Sequence, residues 1–122
     1  MTRDDVARWL DRYIEAWRTY DPDAIRGLFS ADAEYRYHPW DEPVRGAEAI
    51  ADDWIEDRDT AGTYEAAYEP YAVEGNRAVA VGTSDYAGEA VEGNRRYHNV
   101  FLLEFDDAGA CRSFTEVFIQ QP

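Results

Sequence analysis

The sequence predicts an α+β fold, with helices first and a mainly antiparallel sheet packed against them. Three observations carry this. Apolar residues recur at the helical period up to about residue 57, broken by one short stretch of strict alternation. From Tyr64 onward the period is two. Gly-Asn and Asp-Asp-Ala-Gly segments then punctuate the second half at hairpin spacing. The chain has 122 residues, so one domain spanning 1–122 is expected.

The elements follow in order. Thr2 or Asp4 can cap a first helix, on which Val6, Leu10, Tyr13, Ile14 and Trp17 share a face. Asp21-Pro22 ends it. Asp21 also caps a short second helix, with Pro22 at the first position, where a missing N–H costs nothing. That helix carries Ile25, Leu28 and Phe29. Asp32 to His38 alternates, with Ala33, Tyr35 and Tyr37 on one side, and reads as a half-buried strand. Pro39 to Pro43 is a loop. Gly46 opens a third helix, with Ala47, Ile50, Ala51 and Trp54 facing the core, running to about Asp57.

Tyr64, Ala66 and Tyr68 then alternate with Glu65, Ala67 and Glu69. Pro70 marks an edge position or a bulge. Val73-Glu74-Gly75-Asn76-Arg77 recurs as Val91-Glu92-Gly93-Asn94-Arg95, which is shared turn chemistry rather than a repeat. Ala78–Tyr86 is the next strand. The last two are Tyr97–Phe105 and Cys111–Ile119, joined by a polar loop with a Gly.

If Phe105 stands opposite Ala110, then Phe101 faces Phe114, Asn99 faces Glu116 and Tyr97 faces Phe118. These share the large aromatic face that the helices should cover. His98 then faces Val117, and Val100 faces Thr115, on a smaller mixed face that a second subunit could cover. Glu116 is the one carboxylate in this apolar run. It either points at water or sits in a pocket that tunes its pKa.

Composition excludes several functions. The net charge is −14 and all 12 basic residues are Arg, which argues against nucleic acid and anionic membranes as partners. Aromatics at 15% suit a core and also the lining of a small-molecule pocket. Cys111 stands alone, so no intrachain disulfide forms and a reducing, cytoplasmic setting is expected. It reads as a small buried hydrophobe, with no His near it in sequence to make it a nucleophile. No apolar run is long enough to span a membrane, and the N-terminus lacks a signal peptide's apolar region. His38 and His98 with scattered acids give no metal-ligand spacing, so no metal and no cofactor are expected.

Several short segments share an order with known proteins. They are Tyr13-Ile14-Glu15-Ala16-Trp17 followed by Asp21, then Leu28 to Ala33, then Gly46 with Ile50 and Trp54. Near the end they are Tyr97-His98-Asn99, Phe105-Asp106, Gly109 and Phe114-Thr115-Glu116. Over nearly its full length the chain resembles the nuclear transport factor two-like superfamily, in particular its SnoaL-like branch of small bacterial proteins. The resemblance implies a cone-shaped α+β barrel, with helices wrapped in a strongly curved sheet and a pocket open at one end. It often implies a homodimer packed through the sheets. It implies no single activity, since members include cyclases, isomerases, epoxide hydrolases, dehydratases and non-catalytic scaffolds.

Within that frame Glu116 is the first catalytic candidate, because a desolvated carboxylate suits proton transfer. Asn99 would orient substrate beside it. Tyr13, Tyr35, Tyr37 and Tyr97 are candidate hydrogen-bond donors to an oxyanion. His38 lies near the expected pocket mouth, whereas His98 falls on the second face. Asp85, if inward, would pair with Glu116; the epoxide-hydrolase members imply an Asp-Arg-Asp arrangement, for which no inward Arg is placed. Trp17, Trp40, Trp54, Phe101 and Phe118 would shape and line the pocket. Two readings follow. One is a cofactor-free isomerase, cyclase or dehydratase acting on a small apolar carbonyl compound. The other is a non-catalytic ligand-binding or dimerisation domain.

Overall fold

The chain begins with a capping box. The Thr2 hydroxyl accepts from the Asp5 N–H, and the Asp5 carboxylate accepts from the Thr2 N–H. A computed structural model describes residues 1–87 and 93–122. Helix α1 spans Arg3–Thr19 and ends at Tyr20, whose φ of 51° turns the chain in the left-handed region. Asp21 caps α2 (Pro22–Arg26) through the Asp23 N–H, as the Asp-Pro pair predicts. Only Ile25 of the expected apolar trio lies on α2. Leu28 follows it and Phe29 already opens β1 (Phe29–Arg36).

A two-residue strand, β2 (Val44–Arg45), pairs antiparallel with β1. Its brevity leaves no period to read in sequence. Gly46 precedes α3 (Ala47–Glu56) at a φ of 93°, which a side chain would resist. Strands β3 (Tyr64–Glu74), β4 (Arg77–Tyr86), β5 (Arg95–Phe105) and β6 (Cys111–Gln120) complete one open sheet in the order β2-β1-β6-β5-β4-β3. Every pairing is antiparallel except β1 with β6. The sheet curls around the helices without closing. Pro70 lies on the edge strand β3 and beside a bulge, so both expectations for it hold together. Gly75-Asn76 closes the β3–β4 hairpin. The second copy of that motif begins at Val91 and Glu92, outside the described residues.

The register of the last hairpin differs from expectation by two residues. Phe105 faces Cys111, and a bulge beside it adds a further step. Leu103 therefore faces Phe114, Phe101 faces Glu116, Asn99 faces Phe118 and Tyr97 faces Gln120. A shift of two preserves side-chain parity, so the aromatic face keeps its residues while the partners change. The loop causes the difference. Asp106 N–H donates to Ala110 O, and the Asp106 carboxylate accepts from the N–H groups of Ala108 and Ala110. Loop length alone does not reveal that closure.

Trp9 lies at the centre of the core, against Phe29, Phe105 and Phe114, and its indole N–H donates to Leu28 O at 3.0 Å. It displaces the predicted helical face by part of a turn: Val6, Trp9, Leu10, Tyr13 and Ala16 are buried, while Ile14 and Trp17 are only partly so. Gly82 has no room for a side chain. A Cβ there would lie 2.0 Å from Ala67 O and 2.5 Å from Tyr68 Cδ1, because β3 folds closely over β4 at this level.

Candidate functional site

Strand alternation builds the site. On β6, Phe114 and Glu116 point to the concave side, as do Ser84 and Tyr86 on β4 and Asn99 on β5. Tyr13 and Trp17 arrive from α1, Tyr35 and Tyr37 from β1 and its end, and Trp54 from α3. Together they line an open cleft of about 310 Å³, with Tyr20, Asp57, Asp59 and Tyr68 completing the wall.

Glu116 is the polar centre of the cleft. Its Oε1 accepts from Asn99 Nδ2 at 2.8 Å, and Asn99 Oδ1 accepts from Ser84 Oγ at 3.0 Å. Its Oε2 has no hydrogen bond among the described residues. Burial pushes the Glu116 carboxyl above its ordinary value, against the Asn99 bond and the nearby His38, which both favour the charged form. Burial also raises the hydroxyl pKa of Tyr13, Tyr35, Tyr37, Tyr68 and Tyr86, so these phenols remain neutral donors. Tyr13 and Tyr35 hydroxyls lie 3.4 Å apart, and Tyr37 donates to Asp53 at 2.6 Å. Trp54 holds the one buried side-chain donor without a partner among the described residues, its indole Nε1–H.

Six of the sequence candidates come together here: Glu116, Tyr13, Trp17, Tyr35, Tyr37 and Trp54. The others do not line the cleft, each for a visible reason. Asn99 is buried behind Glu116 and reaches the cleft only through it. Asp85 points outward, one step out of phase with Ser84 and Tyr86, and its carboxylate accepts from cross-strand Arg96 Nε at 2.6 Å. The expected Asp85–Glu116 pair therefore does not exist. Phe101 is a core residue under Tyr13, Tyr68 and Phe114. Tyr97 packs between Tyr86 and Phe118, outside the lining. Phe118 is partly exposed against His38, whose Nδ1 is bonded to Asp41 at 2.8 Å. Trp40, at 80% exposure, stacks on His38 outside the cleft. His98 meets Gln121 at the surface, as its place on the second face predicts.

Sequence reading missed Tyr20, Asp57, Asp59, Tyr68, Ser84 and Tyr86. Parity was the available signal for three of them. Ala80, Gly82, Ser84 and Tyr86 form one inward row on β4, and Tyr68 crosses over Gly82. The helix-end residues carry no such signal. Tyr20 Oη accepts from Trp17 Nε1 and from the Asp59 N–H, which ties the α1 terminus to the segment after α3.

Residues 10–113 match the model of the SnoaL-like domain, and the chain belongs to that family. No curated protein matches it in sequence. Its fold is similar to that of an NTF-2 like protein of unknown function from Burkholderia xenovorans LB400, at a TM-score of 0.70 and 18% identity, covering 98% of this chain and 88% of that one. It is also similar to an LEH-like epoxide hydrolase of M. tuberculosis, at a TM-score of 0.71 and 14% identity, covering 96% and 84%. These likenesses place the cone fold and leave the chemistry to the site. Among the described residues no helix is long and apolar enough to cross a membrane.

Proposed function

We propose that this SnoaL-like domain is a cofactor-free acid–base catalyst acting on a small carbonyl compound, with Glu116 as the base. The observation that carries this is a single carboxylate at the cleft floor with one oxygen tied to Asn99 and the other unbonded among the described residues. Burial weakens its acidity, which makes it a stronger base in its charged form and a usable acid in its neutral one.

In this reading Oε2 removes a proton from the carbon beside the carbonyl. The C–H electrons move into the C–C bond and the carbonyl π pair onto oxygen, giving an enolate. Neutral Tyr hydroxyls and the Trp54 N–H, which has no partner among the described residues, supply donors for that oxygen. Glu116 then returns the proton at another carbon, which is isomerisation, or gives it to a β-hydroxyl, which leaves as water as the enolate re-forms the carbonyl and a C=C bond replaces the broken C–O bond, which is dehydration. Asn99 is a positioning residue: its bond to Oε1 orients the carboxylate. An epoxide hydrolysis of the Asp-Arg-Asp kind fits less well, because no Arg is among the residues lining the cleft and Asp85–Arg96 lies on the outer side.

The test is Glu116→Gln, which keeps the acceptor for Asn99 and removes the base. Turnover of a carbonyl substrate found by screening should fall ~10²–10⁴-fold with the near-ultraviolet circular dichroism unchanged. Undiminished turnover in the variant would discard Glu116 as the base. A second reading, a ligand-binding domain without turnover, draws on the Tyr13–Tyr35 hydroxyl contact, which engages two of the candidate donors with each other. Stoichiometric binding with no turnover across pH 5–9 favours it.

The lone buried Cys111, its thiol pushed up to about 12 by burial, fits a cytoplasmic protein that needs no disulfide. A homodimer through the outer sheet face is the further part of this reading. Leu102 and Ile119 are 47% and 71% exposed there, beside half-buried Val81, Val100 and Val117. Light scattering should return about twice the 14.0 kDa chain mass. A monomer at all concentrations rejects it.

A further inference from the structure

We propose that the ligand of this cleft is an organic cation: a small molecule with an ammonium group seated among the mouth aromatics, against Asp57 and Asp59, and a neutral acceptor at its other end. The proposal rests on the cleft being a ligand site and does not require Glu116 to move a proton.

The first support is the sign of the lining. Its acidic side chains are Asp57, Asp59 and Glu116, and no described Arg or His is among the lining residues. The sequence holds no Lys at all. Arg18 and Arg58 line an adjoining groove that shares Tyr20 and Asp59 with the cleft, but neither forms an ion pair with Asp59. His38 does not line the cleft and is engaged by Asp41, although its charge favours the ionised form of Glu116. An anion entering the cleft would meet the carboxylates of Asp57 and Asp59 at the mouth and the Glu116 carboxyl on the floor, in a site of reduced dielectric.

The second is that neither mouth carboxylate forms an ion pair with a cation among the described residues. Asp57 makes no side-chain hydrogen bond or ion pair with any described residue. Asp59 accepts only from neutral donors, Trp17 Nε1 at 3.2 Å and Tyr20 Oη at 3.4 Å. Elsewhere on this chain carboxylates such as Asp85, Glu104 and Glu15 do find Arg partners.

The third is the wall. Trp17, Tyr37, Tyr68 and Tyr86 bring aromatic rings to the same space as these acids. Ring faces carry negative potential and attract ammonium groups within about 6 Å. The phenols keep that character because burial holds them neutral.

The fourth concerns the other end of the ligand. Trp54 is 7% exposed and lines the cleft, yet its indole N–H has no acceptor among the described residues. An ammonium group cannot satisfy a donor. A carbonyl or ether oxygen can, so the ligand carries both. The volume of about 310 Å³ restricts it to a small molecule.

The experiment is calorimetric titration at low ionic strength and pH 7 with three probes of one shape: 2-phenylethylammonium, 2-phenylethanol and phenylacetate. The ammonium should bind about tenfold more tightly than the alcohol, and phenylacetate should not bind. Asp57→Asn, at an exposed residue, should bring the ammonium affinity down to within about threefold of the alcohol's. An unchanged near-ultraviolet circular dichroism spectrum shows that the variant is folded. Loss of the preference on removing one charge separates a local effect from the general pull of a chain with net charge −14. Raising the salt from about 10 to 150 mM should weaken ammonium binding and spare the alcohol. The proposal is overturned if the alcohol binds as tightly as the ammonium, if none of the three binds, or if Asp57→Asn keeps the full preference. A failed Glu116→Gln turnover test leaves all these results untouched.

Discussion

The two ends of the concave sheet face are built from the same strands and behave oppositely. At the closed end Phe105 and Phe114 on β5 and β6 pack against Trp9, Cys111 stands opposite Phe105, and all four are at most 2% exposed. At the open end the same two strands present Asn99 and Glu116 to a cleft. Helix α1 runs across both: Trp9 fills the closed end, Tyr13 bridges, and Trp17 stands at the mouth. The lesson is that strand patterning alone does not make a pocket. The same parity gives core where a helix side chain fills the space and cleft where none does.

The largest expected effect lies at the closed end. Phe105→Ala should cost about 3–5 kcal/mol in urea-induced unfolding, because the ring is enclosed and its neighbours cannot collapse into the gap. Trp17→Ala at the mouth removes a larger side chain, yet should cost only about 1–2 kcal/mol, because Trp17 is already half-exposed beside Tyr64 and Tyr86. Equal losses at the two sites would mean that the mouth is as tightly packed as the core.

A subtler effect sharpens the description of the open end. The Glu116 carboxyl is raised above its ordinary value by burial, so the folded state prefers it neutral. Its full stability contribution is therefore present below the unfolded pKa of about 4.3 and is lost as pH rises through the higher folded value. Glu116→Gln removes that loss. The variant should be more stable than the parent at pH 7, and the advantage should vanish near pH 4, measured as the difference in unfolding midpoint across pH. A variant less stable than the parent at pH 7 would mean that the charged Glu116 is held by more than Asn99.

Much of this architecture is legible in the sequence because it is written in local chemistry. The Asp21-Pro22 cap, the Gly46 helix start, the Pro70 edge and the Gly75-Asn76 turn each require particular residues at particular backbone geometries. Parity survived even where register did not, since a two-residue shift leaves every side chain on its face. The cleft was legible only in part. Glu116 stood out because it breaks an apolar run. Asp57 and Asp59 follow a helix end and look like any solvated acids; only the packing of α3 brings them to the rim beside Trp17 and Tyr20. Asp85 shows the opposite error, since its type suggested chemistry and its phase on β4 sends it outward.

That phase makes Asp85 the smallest and cleanest test of inside against outside. Asp85 and Arg96 are direct cross-strand partners, with side chains 40% and 52% exposed. An exposed pair of this kind contributes ~0.2–1 kcal/mol and is screened by salt. Asp85→Asn should therefore shift stability by no more than about 0.5 kcal/mol. It should leave 2-phenylethanol affinity unchanged, whereas a substitution at Glu116 two strands away alters the cleft itself. Loss of ligand affinity in Asp85→Asn would mean that the outer row of β4 communicates with the cleft. The alternation of Ser84 and Tyr86 inward with Asp85 outward would then no longer separate site from surface.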